Sequence, residues 1–136
     1  MKDKKRKYIL MIILLGVLML LSGCVRKECD EKVKDLEFTV TKEEELPEAL
    51  RQQIEEKKEG DFRFTYSDNE YLYVARGYGI QETGGYSISV EDCYLSDTAI
   101  CVKTRLQENG EEVTKAPSYP FIVLKLELRE EEVLFQ

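Results

Sequence analysis

Four thiols carry the most reactive chemistry in this chain, at Cys24, Cys29, Cys93 and Cys101, and no histidine accompanies them. A thiol can be acylated, oxidised to a disulfide, or used as a nucleophile where a neighbouring base or positive charge lowers its pKa. The absence of histidine removes the commonest base, the usual nucleophilic triads and most zinc sites. Carboxylates are abundant, as in Glu91-Asp92 and Glu130-Glu131-Glu132, but such runs are usually solvated faces rather than acid and base pairs. There is no EF-hand spacing. The expectation is a protein with no metal, no cofactor and no catalytic activity.

Cys24 is set apart by what precedes it. Residues 1–7 hold five Lys or Arg against one Asp, which favours the cytoplasmic side of a membrane. Residues 8–21 are apolar throughout, a run of 14. That length suits a signal-peptide core of about 7–15 residues and falls short of the roughly 20 a spanning helix needs. Leu21-Ser22-Gly23-Cys24 then offers small residues to a peptidase and a thiol that can take a diacylglyceryl group. The motif resembles the bacterial lipobox. It implies a signal peptide over residues 1–23, acylation of Cys24, and a protein held to the cell membrane on its extracytoplasmic face, with the lipid bilayer as a partner. An uncleaved anchor over residues 8–25 is the alternative.

Cleavage before Cys24 leaves 113 of 136 residues, enough for one domain. It removes five of 20 basic and one of 27 acidic residues, so 15 remain against 26, a formal net charge of −11. That surface is a poor partner for nucleic acid, and anionic headgroups repel it, which leaves attachment to the acyl chains. Residues 24–36 then read as the lipidated cysteine and a flexible, solvated tether. Within it, Cys29 has no evident partner and is open to three readings: a free thiol, a second acylation site, or an incidental cysteine.

Residues 37–136 carry the periodicities of a folded domain. A short strand is expected at residues 37–41. A helix follows at about residues 47–58, with Pro47 in its first turn and Leu46, Leu50 and Ile54 on one stripe beside Ala49. From Phe62 onward the period becomes two. Phe62, Phe64 and Tyr66 form one face of a strand, Ser67-Asp68-Asn69 a turn, and residues 70–76 a return strand with Leu72 and Val74 opposite Tyr71, Tyr73 and Ala75. Residues 86–95 and 99–106 make a second hairpin about Ser96-Asp97-Thr98.

Pairing Glu91 with Lys103 in that hairpin sets Ile88 opposite Leu106, Val90 opposite Thr104, and Cys93 opposite Cys101. Cys93 and Cys101 are therefore a candidate cross-strand disulfide, with two reduced thiols as the alternative. Asn109-Gly110, between Leu106 and Val113, marks a turn, residues 121–128 a central strand, and residues 133–135 an edge strand. The expected fold is mainly β: a small antiparallel sandwich or open barrel of six to seven strands with one N-terminal amphipathic helix.

Two segments have no strand pattern and unusual composition. Gly77-Tyr78-Gly79 and Thr83-Gly84-Gly85-Tyr86 place four glycines within nine positions, which suits tight turns or close approach of another chain. Pro117 and Pro120 bracket Ser118-Tyr119 and stiffen the entry to the last long strand. A phosphate cradle is not indicated, because no Lys, Ser or Thr follows in place and no helix begins there.

Together with Ser87-Ile88 and the run Lys115-Ala116-Pro117-Ser118-Tyr119-Pro120-Phe121, these residues resemble the PrcB C-terminal domain family of bacterial lipoproteins. Leu46-Pro47-Glu48 and Tyr71-Leu72-Tyr73 fit it too, and the likeness covers roughly residues 46–136. One departure is Glu82, where a proline frequently precedes the threonine. The resemblance implies a non-catalytic β domain, named for a lipoprotein subunit that associates with a subtilisin-like surface protease complex. A protein partner, of which a secreted protease is one kind, would be contacted through Tyr78, Thr83, Gly84, Gly85, Tyr86, Ser118 and Tyr119. The same loops are also similar to those of chagasin-type inhibitors of cysteine proteases, which present a Thr-Gly-aromatic loop beside a second aromatic one. That likeness implies the alternative of protease inhibition.

Overall fold

The computed structural model describes residues 2–20, 27–110 and 114–136. Helix α1 (Lys2–Leu20) holds the basic start and the apolar run. The domain that follows contains β1 (Lys34–Asp35), β2 (Thr39–Val40), a 3-10 turn (Glu43–Glu45), α2 (Glu48–Lys57), β3 (Asp61–Ser67), β4 (Tyr71–Tyr78), β5 (Tyr86–Leu95), β6 (Ala99–Glu108), β7 (Phe121–Glu127) and β8 (Glu132–Phe135). The strands form two four-stranded sheets, ordered β1-β5-β6-β8 and β2-β7-β4-β3, and neither closes into a barrel. Eight strands are found among the described residues rather than six to seven. The short β1 and β2 are exposed at every position, so they have no apolar alternation to reveal them.

The alternation on β4 builds the layers. Leu72 and Val74 face the other sheet and pack with Cys93, Ile100, Val102, Ile122, Leu124 and Leu126. Tyr73 and Ala75 face the opposite way, against Leu46, Leu50, Ile54, Phe62 and Val123. Helix α2 thus lies on the outer face of the β3 sheet, and its apolar stripe is buried while Ala49 stays exposed. Because β4 is covered on both sides, its burial is continuous from Leu72 to Gly77, as expected of a central strand. Pro47 is the residue before the first helical turn, and its carbonyl accepts from the Arg51 N–H at 2.9 Å. The Arg51 guanidinium donates to the Glu43 and Glu44 carbonyls at 3.0 and 3.2 Å, which ties the 3-10 turn to the helix.

The β3–β4 hairpin closes on Asp68, whose carboxylate accepts from the backbone N–H groups of Glu70 and Tyr71 at 2.8 and 2.7 Å. In the β5–β6 hairpin, Ile88 lies opposite Leu106 and Val90 opposite Thr104. A bulge at Glu91 then shifts the ladder by one residue, placing Asp92 opposite Lys103, Cys93 opposite Val102, and Tyr94 opposite Cys101. Glu91 still reaches Lys103 at 3.4 Å and Arg105 at 3.6 Å.

The one-residue slip corrects the expected Cys93–Cys101 disulfide. Shifting a strand by one residue turns its side chains to the other face. Cys93 points into the core between the sheets and is a free thiol. Cys101 is buried on the outer face, where it is bonded to Cys29 with a Cα–Cα separation of 6.0 Å. The segment expected to be a solvated tether is correspondingly fixed over residues 27–36. Val33 and Leu36 donate to the Leu95 and Cys93 carbonyls at 2.8 and 3.1 Å, and Thr98 donates to the Asp30 carboxylate at 3.1 Å.

Candidate functional site

At one end of the sandwich β4 hands over to β5 and β6 to β7, which brings the two glycine and proline segments together. They are joined as an extension of the β4–β7 ladder. Tyr78 N–H donates to the Pro120 carbonyl at 3.1 Å, and Gln81 and Ser118 exchange backbone bonds of 2.8 and 3.0 Å. Ser118 Oγ donates to the Thr83 carbonyl at 2.7 Å, and Gly84 N–H to the Thr114 carbonyl at 3.0 Å. The turn between α2 and β3 forms the third wall, with Ile80 N–H donating to the Glu59 carbonyl at 3.1 Å.

Three glycines have specific structural work here. Gly79 and Gly85 have φ of 73° and 86°, a region that L side chains avoid. At Gly77 a Cβ would fall 2.2 Å from the Phe62 ring, so its small size lets Phe62 lie flat beneath β4. Tyr78 is turned inward rather than presented. Its hydroxyl hydrogen-bonds Thr104 Oγ1 at 2.5 Å, bridging the two sheets, and the Arg76 guanidinium sits 3.9 Å from its ring centroid. Arg76 is buried and paired with Asp61 at 3.1 Å.

Of the other residues singled out from sequence, Gly84 is buried, and Thr83, Gly85, Tyr86, Ser118 and Tyr119 are half-buried. Lys58 Nζ lies 5.1 Å from the Tyr119 ring centroid, a cation–π contact that steadies the ring. Lys58 is itself held above the usual lysine range, first by its hydrogen bond to Glu55. The sequence reading missed Ile80. It is 54% exposed in the first loop, where its N–H is bonded to the α2–β3 turn at Glu59. A bulky apolar residue between Gly79 and Gln81, outside any strand alternation, was the available signal.

Chemically the site offers hydroxyls, backbone groups and apolar surface, with Ser118 Oγ already engaged by its own chain. Among the described residues no group of three or more Cys, Asp or Glu is placed to hold a metal ion. An open groove of about 640 Å³ lies at the other end, between β2 and β7, lined by residues that include Thr41, Glu45, Tyr71 and Lys125. Leu21, Ser22, Gly23 and Cys24 lie outside the described residues. No described helix is long and apolar enough to cross a membrane.

The fold and its end loops define a small, mainly β, two-sheet domain with a helix on one face and a hydrogen-bonded loop pair at one end. Residues 72–127 match the protein family described as PrcB C-terminal. The match runs from β4 through β7 and takes in both loops, whereas the resemblance read from sequence extended over α2 and β8 as well. No curated protein and no solved structure matches the chain.

Proposed function

We propose that the chain is a membrane-anchored extracytoplasmic lipoprotein whose non-catalytic PrcB-type domain binds another protein through the loop pair, as an accessory subunit of a surface protease complex. The observation that carries the reading is the loop pair itself. Its backbone is fixed by cross-loop hydrogen bonds and two positive-φ glycines, and it leaves Ile80 as a bulky apolar side chain exposed to solvent. A rigid backbone lowers the ordering cost of association, and a single large apolar residue is a typical anchor for a pocket on the partner.

Anchoring is supported by the lipobox-like motif and by α1, where each residue from Tyr8 to Leu15 leaves more than half its surface uncovered. An apolar helix left this uncovered is what a signal sequence supplies. Labelling cells with a radiolabelled lipid precursor tests this step: the protein takes the label, and Cys24→Ala abolishes it. Lipid on the Cys24→Ala protein would overturn the anchor. Incubation with papain-like and subtilisin-like proteases separates assembly from inhibition. The subunit reading predicts undiminished protease activity at micromolar protein, and stoichiometric loss of activity would replace it with the inhibitor reading.

A further inference from the structure

We infer that the Cys29–Cys101 disulfide makes the segment after Cys24 a short strap, which holds one end of the domain against the bilayer and presents the loop pair at the far end. The inference rests on acylation of Cys24 as proposed above. Its structural basis is where the strap is fastened. Cys29 is bonded to Cys101, Lys27 pairs with Glu132 at 2.8 Å, Asp30 receives Thr98 at 3.1 Å, and Lys32 lies 5.5 Å from the Tyr94 ring centroid. Tyr94, Thr98 and Glu132 all belong to the end of the sandwich where β5 stops and β6 and β8 begin. The loop pair lies where β5 starts, at Tyr86. Nine residue steps separate Tyr86 from Leu95, about 30 Å at ~3.3 Å per step.

Chain length decides the consequence. Cys29 follows Cys24 by five positions, and five residues reach at most about 18 Å. Without the disulfide, the first backbone bond to the sheet is made by Val33, nine positions after Cys24, with a reach of about 32 Å. The covalent link thus nearly halves the leash. An 18 Å leash fastened at one end keeps that end near the headgroups, while a domain about 30 Å long carries its other end outward. The net charge of −11 that remains after cleavage adds repulsion from anionic headgroups, which opposes lying flat.

The experiment uses the full lipidated protein in vesicles containing an acceptor-labelled lipid, with a donor dye on an unnatural amino acid at exposed Asp97 or exposed Lys115. The donor at Asp97 is quenched several-fold more than the donor at Lys115. Inserting ten Gly/Ser residues after Arg26, which leaves the disulfide and the fold intact, removes most of that difference. Cys29→Ser reduces it in the same direction. Equal quenching at the two positions in vesicle-bound protein, or a difference untouched by the insertion, overturns the strap. Protein that does not float with the vesicles overturns the anchor as well.

Discussion

Cys29 and Cys101 are joined at a sequence separation of 72, so the outermost segment of the domain is bonded near the start of a central strand. Closing a loop of that size restricts the unfolded chain, and removing such a bond typically costs about 2–4 kcal/mol. Cys93, on the neighbouring strand, faces the opposite side, and burial pushes its thiol up to about 11. At pH 8 it is almost wholly protonated and therefore unreactive.

Alkylation with iodoacetamide reads this arrangement directly. Native protein without reductant is left unmodified at Cys29, Cys93 and Cys101. Denaturant alone exposes Cys93, and denaturant with reductant exposes all three. Alkylation of Cys101 in denatured, unreduced protein would show that the bond is absent.

The glycines of the candidate site divide into costly and tolerant positions. Gly77→Ala drives a methyl into the buried Phe62 ring, with an expected loss of about 1–3 kcal/mol from overpacking. Gly79→Ala forces a side chain into a positive-φ position, for roughly 1–2 kcal/mol. Gly84→Ala meets only the Thr114 hydroxyl, on an exposed side chain that can rotate away. Urea unfolding should rank Gly77 and Gly79 well above Gly84. A Gly84→Ala protein as unstable as the other two would contradict the loop geometry described.

Much of the fold was legible because burial imposes a period on the residues that carry it. The stripe of Leu46, Leu50 and Ile54, and the two faces of β4, fall where their spacing puts them. Charge pairing located the β5–β6 hairpin correctly as far as Val90. It could not reveal the bulge, because Glu91 reaches Lys103 in either register. That single residue reversed the facing of Cys93 and sent Cys101 to a partner hidden in a polar segment. Residues 27–36 are held mainly by a disulfide and polar bonds, with Leu36 packed against the core, so they have no periodic signature. The glycine and proline segments marked the site, but their composition could not say which side chains point outward: Tyr78 turns in toward Thr104, and Ile80, which the composition did not single out, is exposed.

Acid should weaken the β3–β4 hairpin through Asp68. Backbone N–H groups of Glu70 and then Tyr71 hold its carboxyl below the usual range. A lowered folded pKa means the contribution is complete above the unfolded pKa and disappears as pH falls through the folded one. Stability at pH 7 and pH 5 should therefore be alike in this respect, with the loss confined to below about pH 4. Asp68→Asn keeps an acceptor for the turn but removes the titration. Denaturation midpoints between pH 5 and pH 3 should fall less steeply for the variant. Parallel curves for the two proteins would show that Asp68 contributes no acid sensitivity.

The central claim is that the loop pair meets another protein outside the cell. A photo-crosslinking amino acid placed at Ile80 or at Asp97 of the full-length protein on intact cells tests it most directly. The account predicts a discrete adduct of defined mass from Ile80, absent from Asp97 and lost on Cys24→Ala. No adduct from Ile80, or the same adduct from both positions, would contradict it.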